Sequence, residues 1–166
     1  EKPRFFGSMN ARIDAAGSGK YAELDEHGRY KVILPFDLSG RKDGKASTWL
    51  RMAQPYAGSD HGMHFPLHKG TEVLLTFIDG DPDRPVIVGA VPNPETPSPV
   101  TAKNQTQSMI TTSGGNKIHI EDQEGKQRIL MQTPTQGTFI RIGAPNDPGD
   151  EKDEHKPEDY GISLFS

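Results

Sequence analysis

Apolar and polar residues alternate with a period of two along much of this chain. "RYKVILPF" (29–36) places Tyr30, Val32 and Leu34 on one face and Arg29 and Lys31 on the other, the pattern of a half-buried strand. Residues 9–16 and 20–25 read as short strands around Gly17-Ser18-Gly19, and "ASTWLRMAQP" (46–55) as another, ended by Pro55. "TEVLLTFI" (71–78) is apolar on both faces, which suits a strand inside a closed sheet. "RPVIVGAV" (84–91) follows, with Gly89 placed for a bulge or sharp bend. No stretch of ten residues shows helical periodicity. About five substantial strands therefore fall within the first 91 residues. Closing them into a small barrel removes the exposed edges that an open sheet would leave.

Prolines at 92, 94, 97 and 99 break the pattern. They hold the chain extended and keep it out of a sheet centre. We therefore divide the chain into a barrel at 1–93, an extended linker at 94–107 and a second region at 108–166. In that region "NKIHIEDQEGKQRILMQT" (116–133) predicts a hairpin. Ile118 and Ile120 face Ile129 and Met131, and "EDQEG" forms the loop. "GTFIRIGA" (137–144) adds a strand, 145–160 is an acidic Pro-bearing excursion, and "GISLFS" (161–166) opens another strand. The apolar rows at 118/120, 129/131, 140/142 and 162/164 have no helix to cover them. An isolated hairpin in water is marginal. Copies of the same chain, wound about a symmetry axis, are the economical cover, so residues 108–166 predict an intertwined homo-oligomer.

Composition agrees. The hydrophobic share is 32%, below the roughly 45–50% of a self-contained globule. Gly 18 and Pro 14 point to many turns. Lys and Arg number 19 against 23 Asp and Glu, a net charge of −4, which argues against a dedicated nucleic-acid binder. The absence of cysteine excludes disulfides and thiolate metal sites. No apolar run approaches the ~20 residues of a membrane helix, and no signal peptide is visible. The chain opens at Glu1, which we read as the mark of an excised piece.

Candidate chemistry is sparse. Asp79, Asp81 and Asp83 begin like a calcium loop, but the sixth and twelfth positions are Arg84 and Ala90 rather than Gly and Glu. A polar turn between strands fits better. His61, His64 and His68 share a loop, yet Gly62 and Pro66 interrupt any helix that would align them. Ser59-Asp60-His61 has the residue types of a hydrolase triad, but adjacent side chains point apart. Tyr30, Phe36 and Trp49, near Arg29, Lys31, Arg41, Lys42, Lys45 and Arg51, could stack bases on a barrel surface. Core or rim packing is the simpler account. The acidic run 147–159 reads as a solvated loop.

"GMHFPLHKGTEVLLTFIDGDPDRPVIVGAVPNPETP" (62–97) closely resembles the central region of the type VI secretion spike family, the valine-glycine repeat proteins G (VgrG), and the baseplate spike of contractile-tailed phages. "WLRMAQPYAG" (49–58) resembles the strand and loop just before it. "KNQTQSMITTSGGNKIHIEDQEGKQRILMQTP" (103–134) is similar to the family's transition into its spike. The resemblance implies an all-β chain, with a five-stranded OB-fold barrel followed by the start of an intertwined trimeric β-helix or β-prism. It implies a structural homotrimer that docks on a tail-tube protein, carries a conical tip protein and effector cargo, and is driven through a target-cell envelope. Such a spike is assembled in the bacterial cytoplasm and then secreted. It calls for no catalytic residue, no metal, no cofactor and no nucleic acid. The alternatives are an OB-fold module for single-stranded nucleic acid and a phage tail spike associated with envelope degradation.

Overall fold

The computed structural model describes residues 1–150 and 161–165. They form two compact units, Glu1–Pro97 and Ser98–Ser166, and no α-helix occurs among them.

The first unit contains β1 (Ser8–Asp14), β2 (Lys31–Ile33), β3 (Arg51–Met52), β4 (Ala57–Gly58), β5 (His61–Gly62), β6 (Glu72–Phe77) and β7 (Pro85–Ala90). Five of them form one sheet in the order β2-β1-β6-β7-β3. Its two edges meet where Tyr30 and Leu50 exchange both backbone hydrogen bonds, at 2.9 and 2.7 Å. That closes the ring. All neighbours are antiparallel except β3 and β7, which run parallel. A closed five-stranded barrel in which the third strand pairs in parallel with the last is the OB-fold arrangement. Alternating positions of β1, β2, β6 and β7 fill its interior, with Ala11, Ile13, Val32, Val73, Leu75 and Ile87 all buried, joined by Tyr30 and Leu50.

The strands are shorter than the periodicity predicts, because side chains replace ladder bonds. Around β3, Ser47 Oγ accepts the Val32 N–H at 2.9 Å. The buried Asp14 carboxylate accepts the N–H groups of Gly44 and Ala46. Residues 46–49 are therefore held without a ladder, and the strand expected at 46–55 reduces to Arg51–Met52. Residues 20–25 likewise make one bridge, Tyr21 to His68, rather than a strand. The small β4–β5 hairpin lies inside the loop expected at 56–70. The bulge expected near Gly89 is present: Leu74 pairs with Gly89 and Leu75 with Ile87, leaving Val88 unmatched.

Between β6 and β7 the aspartate segment makes a tight turn. Asp79 adopts φ 55 and Gly80 φ 68. A Cβ on Gly80 would lie 2.8 Å from the Phe6 ring, which is 80% exposed, so the positive φ is what calls for glycine here.

Tyr30 anchors the barrel floor. Its hydroxyl accepts the Leu67 N–H at 3.1 Å and lies 3.3 Å from His64 Nε2, with the side chain wholly buried. Tyr30→Phe should lower unfolding stability by about 1–2 kcal/mol, since it leaves the Leu67 N–H without its partner. Urea denaturation followed by Trp49 fluorescence checks this.

The second unit is one antiparallel sheet of β8 (Gln107–Thr111), β9 (Lys117–Glu121), β10 (Arg128–Gln132), β11 (Phe139–Gly143) and β12 (Gly161–Phe165), in the order β12-β11-β10-β9-β8. The predicted hairpin has its predicted register: Ile120 opposite Ile129, and Ile118 opposite Met131. β8 is a strand that the periodicity does not announce. Upstream of it, asparagine side chains close the turns of the Pro-rich stretch. Asn93 Oδ1 accepts from the backbone of Glu95 and Thr96, and Asn104 Oδ1 from that of Thr101.

Candidate functional site

The second sheet is built with its polarity reversed. Register brings Ile110, Ile118, Met131, Ile140 and Leu164 into one cross-strand row. Ile120, Ile129 and Ile142 form a second row beside it. Every one of these residues is exposed in the single chain, by 37–73%. Scattered apolar residues on a surface are ordinary, but a contiguous two-row patch across five strands marks an interaction surface. The row expected at 162/164 is described only at Leu164; the Ile162 side chain lies outside the described residues.

The opposite face carries charge, and that is the face the chain buries. His119, Glu121, Arg128 and Arg141 are 1–8% exposed. Glu121 and Arg128 are direct cross-strand partners. The segment 144–147 completes the cluster. Arg128 Nη1 and Arg141 Nη1 both donate to the Pro145 carbonyl, at 2.9 and 3.2 Å. Asp147 Oδ1 lies 3.0 Å from Arg128 Nε and 3.5 Å from His119 Nε2. Gly143 makes this turn feasible. It sits at φ 95, and a Cβ there would meet the Gln127 carbonyl oxygen at 2.5 Å.

Sequence reasoning missed this cluster. Alternation alone assigns the polar face of a one-sided sheet to solvent. The available signal was the cross-strand pairing of Glu121 with Arg128, flanked by Arg141 and the first aspartate of the acidic run. Donor atoms of His119, Glu121 and Asp147 lie within 4.8 Å of one another, a set of metal-ligand types. Two guanidinium groups already balance the two carboxylates, so a divalent cation there would add uncompensated buried charge. The arrangement suits a neutral structural network.

Burial holds His119 below its ordinary value of 6.5, against the pull of Asp147, and Arg128 acts in the same direction as burial. Glu121 is also held below its ordinary value. Burial works against that, but hydrogen bonds from Thr106, the Gln123 N–H and Gln107 outweigh it. A histidine depressed in the fold contributes stability above its unfolded value and loses it as pH falls below that value. The second unit should therefore weaken as pH drops below about 6.5. His119→Gln should flatten that slope in thermal melts taken from pH 7.5 to 5. In the first unit, Asp25 is held at about 2 against burial by the Arg29 guanidinium and two backbone N–H groups. Its contribution is present above pH 3.8 and is lost only as pH falls towards 2, a separate window.

The other candidates do not converge. Asp81 and Asp83 both accept from Lys2 Nζ, at 2.5 and 2.7 Å, while Asp79 faces Arg84 at 3.3 Å. His64 stacks on Tyr30, His68 packs edge-on against Tyr21, and His61 lies beside Tyr56. His61 Nδ1 meets the Ser59 carbonyl oxygen at 2.7 Å, not its hydroxyl. Of the proposed stacking residues, Tyr30 is core, Phe36 is exposed, and Lys31 Nζ sits 4.2 Å over the Trp49 ring. Of the acidic run 147–159, residues 151–159 lie outside the described residues.

Residues 22–91 match the family model of the Type VI secretion system/phage-baseplate injector OB domain. The chain is also 36% identical over 137 residues to the Type VI secretion system spike protein VgrG4b of Pseudomonas aeruginosa, covering 78% of this chain and 17% of that relative. That is more than the barrel alone provides. The chain belongs to the VgrG spike family of the type VI secretion system. Two Vibrio cholerae members of the VgrG family are each 33% identical over 136 residues, again 78% of this chain. They are the Actin cross-linking toxin VgrG1, of which 12% is covered, and the Type VI secretion system spike protein VgrG3, of which 13% is covered. The chain thus spans less than a fifth of the VgrG relatives it matches. No helix among the described residues is long and apolar enough to cross a membrane.

Proposed function

We propose that this chain is the neck and proximal shaft of a homotrimeric type VI secretion spike, a structural part without catalysis. The observation that carries this reading is the two-row apolar face of the second sheet, exposed in one chain. Three such faces turned to a common axis enclose an apolar prism, and the charged faces, each already covered by its own 144–147 segment, lie outside. The axis buries side chains that a single chain leaves in water, at a gain of about 25 cal/mol per Å². Three chains winding about each other also protect sheet edges.

In this reading the spike docks on a tail-tube protein, bears a conical tip protein and effector cargo, and pierces a target-cell envelope after assembly in the bacterial cytoplasm. Stiffness serves that task, and no cofactor is needed. The actin cross-linking named for one relative would belong to parts of that protein outside the matched 12%. The nucleic-acid reading loses support from the burial of Tyr30 and the capping of Trp49 by Lys31. The mass of the 18.2 kDa chain in solution tests the proposal. Release of peptidoglycan fragments by the purified protein would count against its non-catalytic part.

A further inference from the structure

Outside the barrel, at the parallel β3–β7 seam, lies a cleft of about 230 Å³ lined in part by Arg29, Trp49, Arg51, Asp83 and Arg84. Arg51 is the register partner of Val86. Trp49 and Arg84, each two residues upstream of that pair, both line the cleft. Three arginines and one aspartate line it, within a chain of net charge −4.

The cations differ in how far they are committed. Arg29 is fixed on Asp25, with two nitrogens 2.6 Å from Oδ2. Arg84 reaches Asp79 at 3.3 Å, but both side chains are more than half exposed, a pairing worth little in water. Arg51 is exposed and has no ion-pair partner among the described residues. Asp83 is tied to Lys2. Lys31 lies over Trp49 and donates to the Gly44 carbonyl at 2.7 Å.

We propose that this cleft is a docking site for an acidic peptide segment, whose carboxylates are taken by Arg51 and Arg84 beside the Trp49 ring. Guanidinium forks match carboxylates in two-point geometry. The cleft is smaller than the roughly 300–1,000 Å³ of small-molecule pockets, so it accepts one or two side chains of a longer segment. A nucleic-acid strand suits it less. Such strands need open aromatic faces and a continuous basic track. Here the cleft holds a single indole, and Lys31 lies over one of its faces.

Trp49 is the only tryptophan in the chain, so its emission reports on the site directly. Titrating the whole chain with hexaglutamate should shift that emission saturably, and added salt should weaken the effect. Arg51→Glu, and more mildly Arg51→Gln, should reduce the affinity, the former by about tenfold or more. Arg41→Glu makes the same charge change at a residue that does not line the cleft and should stay within about twofold. Equal losses in Arg51→Glu and Arg41→Glu would reduce the effect to the general field and overturn the site. Displacement of hexaglutamate by a lower concentration of oligothymidylate would assign the cleft to nucleic acid instead. An unchanged emission up to millimolar peptide would also overturn the proposal.

Discussion

Ile129→Glu is expected to leave the chain monomeric. Ile129 occupies the middle of the apolar face, with Ile120 and Ile142 as its direct cross-strand neighbours. In a single chain it is 43% exposed, so the substitution costs the isolated fold little. In a trimer the same position faces the axis, where three carboxylates would meet in an apolar space. Each buried ion carries a penalty of several kcal/mol, and the three repel one another. Gln123→Glu makes the same charge change in the exposed turn between β9 and β10 and should leave assembly intact. Sedimentation of the two variants side by side checks this, with far-UV circular dichroism confirming that both retain their β signal.

Arg128→Ala is expected to destabilise the second unit by about 3 kcal/mol or somewhat more. Removing one partner of a buried ion pair typically costs about 3–5 kcal/mol, because the other charge stays buried. Here Asp147 loses its guanidinium partner, and the Pro145 carbonyl loses one of two donors. The lower part of the range applies because the Asp147 side chain is 30% exposed. Arg128→Lys keeps the charge but not the fork and should fall between wild type and alanine. Trp49 lies in the first unit, which separates the two effects. Urea unfolding followed by circular dichroism should show the loss, while the Trp49 transition stays in place.

The barrel was legible because its chemistry is local. "TEVLLTFI" and "RPVIVGAV" supply the inward positions Val73, Leu75 and Ile87, and Gly89 stands at the bulge. The β9–β10 register was readable from four apolar residues, but the loop runs over 122–127 rather than 121–125, because Glu121 is a buried residue of β9. Strand lengths were not. Asp14 and Ser47 take backbone N–H groups from segments far along the chain, and such long-range substitutions leave no trace in a local pattern. The buried cluster was hidden for a related reason. His119, Glu121, Arg128 and Arg141 look like solvent-facing positions until the 144–147 segment folds over them. The apolar rows, by contrast, were visible as residues without a cover, and in one chain they still have none. Fold and family thus came from short-range patterns, whereas the charged network depends on a turn that only glycine at 143 permits.

In the proposed trimer the exposed Ile and Met rows are the inner surface. The most direct measurement is the mass of the intact chain in solution, by sedimentation equilibrium over a wide concentration range. A species of three 18.2 kDa chains is expected, and Ile129→Glu should convert it to single chains. A stable monomer at all concentrations, with the apolar rows open to solvent, would contradict it.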